Sequence, residues 1–110
     1  MGDCYEAAAN YIIERAVFDP DSKLKLEHGE VMGQGPLEGT QFGHAWVLDG
    51  RTVIDPSNGK MLKMPKDAYY RMGRIDEIGN VHTYTWKQAK RKLVDRKTYG
   101  PWDLETSTGL

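Results

Sequence analysis

The stretch Gly43-His44-Ala45-Trp46-Val47-Leu48-Asp49-Gly50-Arg51-Thr52-Val53-Ile54-Asp55 decides how this chain folds. Asp49-Gly50 is a two-residue turn signal with strand-forming residues on both sides. The spacing predicts a β-hairpin with Asp49 and Gly50 at its tip. Leu48 then lies opposite Arg51. Counting outward pairs Val47 with Thr52, Trp46 with Val53, Ala45 with Ile54 and His44 with Asp55. Directly opposed residues share a face, with Cβ atoms about 4.5–5.5 Å apart. An imidazole therefore falls beside a carboxylate. Such a pair is the orienting half of a nucleophile–histidine–carboxylate system, which leaves a nucleophile to be found elsewhere in the chain.

The single cysteine, Cys4, is the candidate. The segment from Asp3 to about Val17 reads as a helix, with Tyr5, Ala8, Ala9, Ile12, Ile13 and Ala16 at helical spacing as its buried stripe. Asp3 suits the N-cap, and Glu6 three residues on suggests a D-x-x-E capping box. Cys4 becomes the first helical residue, beside backbone N–H groups without intrahelical acceptors and the positive end of the helix dipole. An anion such as a thiolate is favoured there. Asp3 and Glu6 oppose that effect, so a cationic partner such as a protonated histidine is needed. A lone cysteine, a strand histidine facing a carboxylate and an aspartate before proline each have ordinary structural uses. Their joint occurrence in the order Cys4, His44, Asp55 is what suggests chemistry.

The remaining chain reads as alternating strand and helix signals. Leu24 to Met32 alternates like a strand, with Gly29 as a possible bulge. Gly33 to Gly39 is a flexible loop. Its G-x-G lacks the helix start and the Lys-Ser/Thr of a phosphate loop. Gln41 to Leu48 and Arg51 to Asp55 form the hairpin, apolar enough on both faces to lie centrally in a sheet. Asp55 precedes Pro56, which favours extended geometry at the strand's end. Ser57-Asn58-Gly59 is a turn, Lys60 to Met64 a short strand, and Pro65 to Met72 a short helix with Tyr69 and Tyr70 packing inward. Ile75 to Asn80 is turn-like. Val81 to Thr85 is another strand, and Thr85 with Gln88 caps a basic helix reaching about Val94. Tyr99-Gly100-Pro101-Trp102 closes the fold, and residues 105–110 read as a frayed end.

At 110 residues the chain is expected to be one α+β domain, residues 1–110, in which an N-terminal helix packs on an antiparallel sheet. With 15 basic and 16 acidic residues there is no basic excess, which argues against a nucleic-acid partner. No apolar run approaches a membrane span, and no signal-peptide pattern is present. The start resembles an acylated terminus only until Glu6, where the myristoylation pattern asks for Ser or Thr. One cysteine rules out an internal disulfide and suits a reducing, cytoplasmic setting. His28, His44 and His82 have no ligand-type spacing, so neither a metal nor another cofactor is expected. The run Lys87 to Arg96 reads as a solvated charged face.

The residues Gly2-Asp3-Cys4-Tyr5 opening a helix, then Gly43-His44-Ala45-Trp46-Val47, then Val53-Ile54-Asp55-Pro56, resemble the core of transglutaminase-like and papain-like cysteine enzymes. The chain is also similar to small phage-encoded proteins of this type, through Tyr69-Tyr70 and Gly100-Pro101-Trp102. Tyr5 stands where many members carry tryptophan. The resemblance implies a papain/transglutaminase-like core and a thiol protease-like triad in which Cys4 attacks, His44 moves the proton and Asp55 orients it. The implied function is cysteine-dependent acyl transfer on a protein or peptide-like amide: hydrolysis, deamidation or transglutaminase-like cross-linking. An oxyanion hole would take a donor such as Gln41. Trp46 and Asn58 are further candidates for substrate contact, although Trp46 equally suits the core. The rival expectation is a non-catalytic binding or inhibitor protein of viral origin that keeps the fold and engages a host protein.

Overall fold

The computed structural model describes residues 3–33, 35–76 and 80–105. The readings made for residues 1–2, 34, 77–79 and 106–110 lie outside this set. Helix α1 (Cys4–Phe18) is followed by strands β1 (Lys25–Met32), β2 (Gln41–Asp49), β3 (Thr52–Asp55) and β4 (Leu62–Pro65). Helix α2 (Lys66–Met72), strand β5 (Val81–Thr85) and helix α3 (Trp86–Arg96) complete the order. The strands form one sheet in the order β4-β3-β2-β1-β5, and every neighbouring pair is antiparallel. The protein is α+β, with its N-terminal helix on a five-stranded antiparallel sheet.

Each face of the sheet carries its own apolar cluster. On one, Tyr5, Ala8, Ala9 and Ile12 of α1 pack on Leu26, Ala45, Val47 and Ile54. The small alanines let the helix lie close to the strands. On the other face, Val31, Phe42, Trp46 and Val53 meet Tyr69 and Tyr70 of α2. Central strands covered on both sides explain why the hairpin is apolar on both faces. Helix α3 begins with the expected capping box: Gln88 N–H donates to Thr85 Oγ1, and Thr85 N–H donates to the Gln88 side chain. The C-terminal segment closes over the α1 face. Gly100 touches the buried His28 so closely that a Cβ there would stand 2.7 Å from His28 Cε1. Tyr84 and Lys92 hold Asp103 from β5 and α3.

Three local expectations are corrected. First, the hairpin turns at Gly50-Arg51, not Asp49-Gly50, because Asp49 pairs with Thr52, Leu48 with Val53 and Val47 with Ile54. Gly50 has φ +61° and Arg51 does not share a positive φ. That is the type II′ pattern, with glycine in the first central position, and it spares Asp49 the left-handed backbone a type I′ turn would demand. Moving a two-residue turn by one residue moves each opposed partner by two. Faces are therefore preserved while partners change. Second, Gly29 is not a bulge, since β1 and β2 pair without interruption from Lys25↔Leu48 to Met32↔Gln41. The glycine is needed for closeness: a Cβ at position 29 would lie 2.8 Å from Trp46 Cη2 and 3.1 Å from the Asn80 carbonyl. Third, Asp3 occupies the N-cap position without making a side-chain cap. Its carboxylate instead accepts the Asn58 N–H at 2.9 and 3.2 Å, across the chain.

Gly29→Ala is expected to destabilise the fold by about 1–3 kcal/mol through overpacking, measured by urea denaturation. Trp46 is fully buried and cannot swing away. An unchanged denaturation midpoint would show that the contact is slack.

Candidate active site

The site forms where β3 ends. Asp55 is the last residue of β3, and the next step of the register places it opposite Trp46. His44, on the same face as Trp46, therefore sits diagonally from Asp55. A diagonal separation of roughly 7–8 Å is within reach of two side chains that lean toward each other. They do: His44 Nε2–H donates to Asp55 Oδ2 at 2.9 Å. The predicted pair exists, through a different register from the one the sequence suggested.

Asp55 is almost fully engaged. Oδ2 also accepts the Tyr69 hydroxyl at 2.9 Å, while Oδ1 accepts the Ser57 hydroxyl at 2.7 Å and the Ser57 N–H at 3.1 Å. Burial alone would raise this carboxyl, but the His44 and Ser57 hydrogen bonds outweigh it and bring the pKa down to about 2. For His44, burial alone would lower the pKa. Hydrogen bonding and charge from Asp55 and from Cys4 overcome it, and the imidazole is pushed up to about 9. At neutral pH the pair is an imidazolium on a carboxylate.

Cys4 completes the group from the other side. It begins α1, is 2% exposed, and is close enough to act on the imidazole through hydrogen bonding and charge. With Nε2 on Asp55, the ring atom left for the thiol is Nδ1, which is buried and makes no hydrogen bond. Strand alternation turns His44 toward the α2 face, whereas Cys4 belongs to the α1 face. The two meet because β3 stops at Asp55 and the chain turns off into Ser57–Gly59, so on the β3 side no strand lies beside β2 at the level of His44. The Asp3–Asn58 hydrogen bond fixes the start of α1 to that same turn.

The other sequence candidates separate. Trp46 is core: it is fully buried, its Nε1–H donates to Glu27 Oε1 at 2.9 Å, and its ring stacks on the His44 ring with 6.3 Å between centroids. It backs the imidazole and cannot serve as a substrate platform. Gln41 is exposed at the start of β2 and faces the α1 side by alternation. Asn58 is exposed in the turn beside α1, with φ +58° and its N–H committed to Asp3. His28 and His82 face each other across β1 and β5, away from His44. Burial, with the charge of His82 adding to it, pushes His28 down to about 3, so this imidazole is neutral among Tyr5, Tyr84 and Trp102. Among the described residues no group of three or more His, Cys, Asp or Glu side chains is placed to hold a metal ion, and no helix is long and apolar enough to cross a membrane.

Sequence reasoning missed Tyr69 and Glu27. Tyr69 read as a packing residue, and its hydroxyl instead holds Asp55. Glu27 is a buried carboxylate that accepts from Trp46, Tyr70 and Thr83. An isolated glutamate in an alternating strand carries no signal of this. A cavity of about 220 Å³ lies on the α2 face against His44 and Asp55.

Two outcomes follow from the charges. Asp55, ordinarily near 3.8, is lower in the fold, and His44, ordinarily near 6.5, is higher. The folded state therefore releases the carboxyl proton more readily and holds the imidazole proton more tightly than the unfolded chain. Stability from the pair is full between about pH 4 and 6.5, declines as pH rises through 9, and declines as pH falls toward 2. Urea midpoints at pH 5.5, 7.5 and 9.5 should fall in that order, and His44→Gln should flatten the fall. Tyr69→Phe should cost about 1.5–3 kcal/mol, the range for a hydrogen bond to a charged group. A cost near zero in the same denaturation experiment would remove Tyr69 from the network. Comparison of the chain with protein-family models, with curated proteins and with solved structures returned no match.

Proposed function

We propose that the protein is a cysteine-dependent acyl-transfer enzyme with a papain/transglutaminase-like core, in which Cys4 is the nucleophile, His44 the proton carrier and Asp55 the orienting carboxylate. The observation that carries this reading is the placement of one imidazole between a buried carboxylate and the thiol at a helix start. Hydrogen bonds from His44 and Ser57 keep Asp55 ionised, and the ionised Asp55 keeps His44 protonated. A protonated imidazole beside the sulfur stabilises a thiolate. The first turn of α1 adds positive backbone potential at the same point.

In this mechanism the Cys4 sulfur bonds to the carbonyl carbon of an amide or thioester. The bond from that carbon to the leaving nitrogen or sulfur breaks. The leaving atom departs with the electron pair and takes the proton from His44 Nδ1. The acyl group remains on Cys4 as a thioester. Water or an amine then attacks it, with His44 accepting the incoming proton, and Cys4 is released. Water gives hydrolysis or deamidation, and an amine gives cross-linking.

One observation favours a second reading. Cys4 is 2% exposed, which suits a structural thiol in a non-catalytic binding protein. Alkylation separates the two. At pH 6.5 an ordinary thiol reacts through only about 1% thiolate, so the enzyme reading expects Cys4 to react with iodoacetamide up to about 100-fold faster than a free thiol, and His44→Ala to remove most of that gain. Cys4 reacting no faster than an ordinary thiol, or equally fast in both proteins, would sink the catalytic assignment.

A further inference from the structure

The cavity on the α2 face meets the triad on one side only. Val31 and Phe42 of the central strands, Leu62 of β4 and Met72 of α2 wall it, and His44 and Asp55 stand at its polar end. Cys4 does not line it. Leu62 and Met72 are 41% and 43% exposed, so the cavity's apolar wall is open to a ligand from solvent. About 220 Å³ is ample for a substantial apolar group, given that a cavity of about 150 Å³ accepts benzene. Asp55 already accepts four hydrogen bonds, so the polar end offers little to an incoming ammonium.

Position then assigns a role. In acyl transfer the acyl carbon sits on the sulfur, and the leaving group sits beside the imidazole that hands it a proton. A cavity that touches the imidazole and not the sulfur lies on the leaving-group side. We propose that this cavity binds an apolar substituent, of leucine to phenylalanine size, on the leaving-group half of the substrate: the amine side of an amide or the thiol side of a thioester. This rests on the acyl-transfer reading of Cys4, His44 and Asp55. It adds a substrate class, namely acyl compounds whose leaving group is apolar. The same cavity would receive an apolar amine as acceptor when the acyl-enzyme is resolved by an amine.

The test uses two thioacetates with leaving thiols of matched acidity, S-benzyl and S-(2-hydroxyethyl). In each case the Cys4 sulfur bonds to the acetyl carbon, the carbon–sulfur bond of the ester breaks, and the departing thiol takes the His44 proton. Formation of acetyl-Cys4 is followed by intact-protein mass spectrometry, and each rate is divided by that of free cysteine with the same ester. The benzyl ester should acetylate Cys4 faster by about tenfold or more, the scale on which apolar pockets discriminate, and Met72→Asp and Leu62→Asp should bring the ratio to about one. Val94→Asp, on the exposed side of α3, should keep the ratio. Equal rates for the two esters, with acetylation still dependent on His44, would overturn the cavity's role and leave the acyl-transfer reading standing. Failure of both esters, with iodoacetamide reactivity indifferent to His44→Ala, would overturn both. Binding is also read without catalysis. N-benzylacetamide should shift the Met72 methyl resonance saturably and N-(2-hydroxyethyl)acetamide should not; the absence of any saturable shift would overturn the cavity assignment by itself.

Discussion

The carboxylate of Asp55 is the constraint on which the rest of the site depends. It is buried at a strand end, where an uncompensated negative charge would be expensive. Its two oxygens are met by four donors from three places: His44 on β2, the backbone and hydroxyl of Ser57 in the following turn, and Tyr69 on α2. Those donors tie the end of β3 to the neighbouring strand, to the next turn and to the helix that covers the second face. The charge that needs compensation thus also fixes the imidazole's orientation. Nε2–H is committed to Asp55, which leaves Nδ1 as the free ring nitrogen.

A second buried carboxylate steadies the same face. Glu27 accepts from Trp46, Tyr70 and Thr83, joining β1, β2, β5 and α2. Trp46 thereby has both its ring face and its N–H engaged, one against His44 and the other on Glu27. The imidazole is held by a carboxylate at its edge and by an immobilised indole on its face. This explains the absence of a side chain at Gly29, which lies across from His44 in the β1–β2 ladder and leaves room for the indole.

Much of this was legible in the chain. The hairpin, the N-terminal helix with Cys4 as its first residue, and the capping box of α3 follow from local patterns with a physical cause. The His44–Asp55 pair was also legible, because a two-residue turn displaced by one residue preserves which side chains share a face. The exact partners were not, since Asp49-Gly50 and Gly50-Arg51 both offer a glycine to the turn and only the backbone angles decide between them. Nor was the role of Asp3. A capping aspartate and a bridging aspartate look alike in sequence, and the choice depends on a turn 55 residues away. Tyr69 and Glu27 escaped for a similar reason. Their hydroxyl and carboxylate functions come from partners on other strands and helices, which no short window of sequence contains.

The Asp3–Asn58 hydrogen bond has a consequence for how the molecule comes apart. It is exposed, and it joins the first turn of α1 to the turn after β3, whereas the sheet is sealed by apolar clusters on both faces. Helix ends open at far lower free energy than packed cores. Fraying of this one turn would draw the sulfur away from the imidazole while all five strands stayed paired. The first hydrogen bond of that turn runs from the Ala7 N–H to the Asp3 carbonyl at 2.8 Å, so amide hydrogen exchange at Ala7 would report on the opening of the site before it reported on the protein.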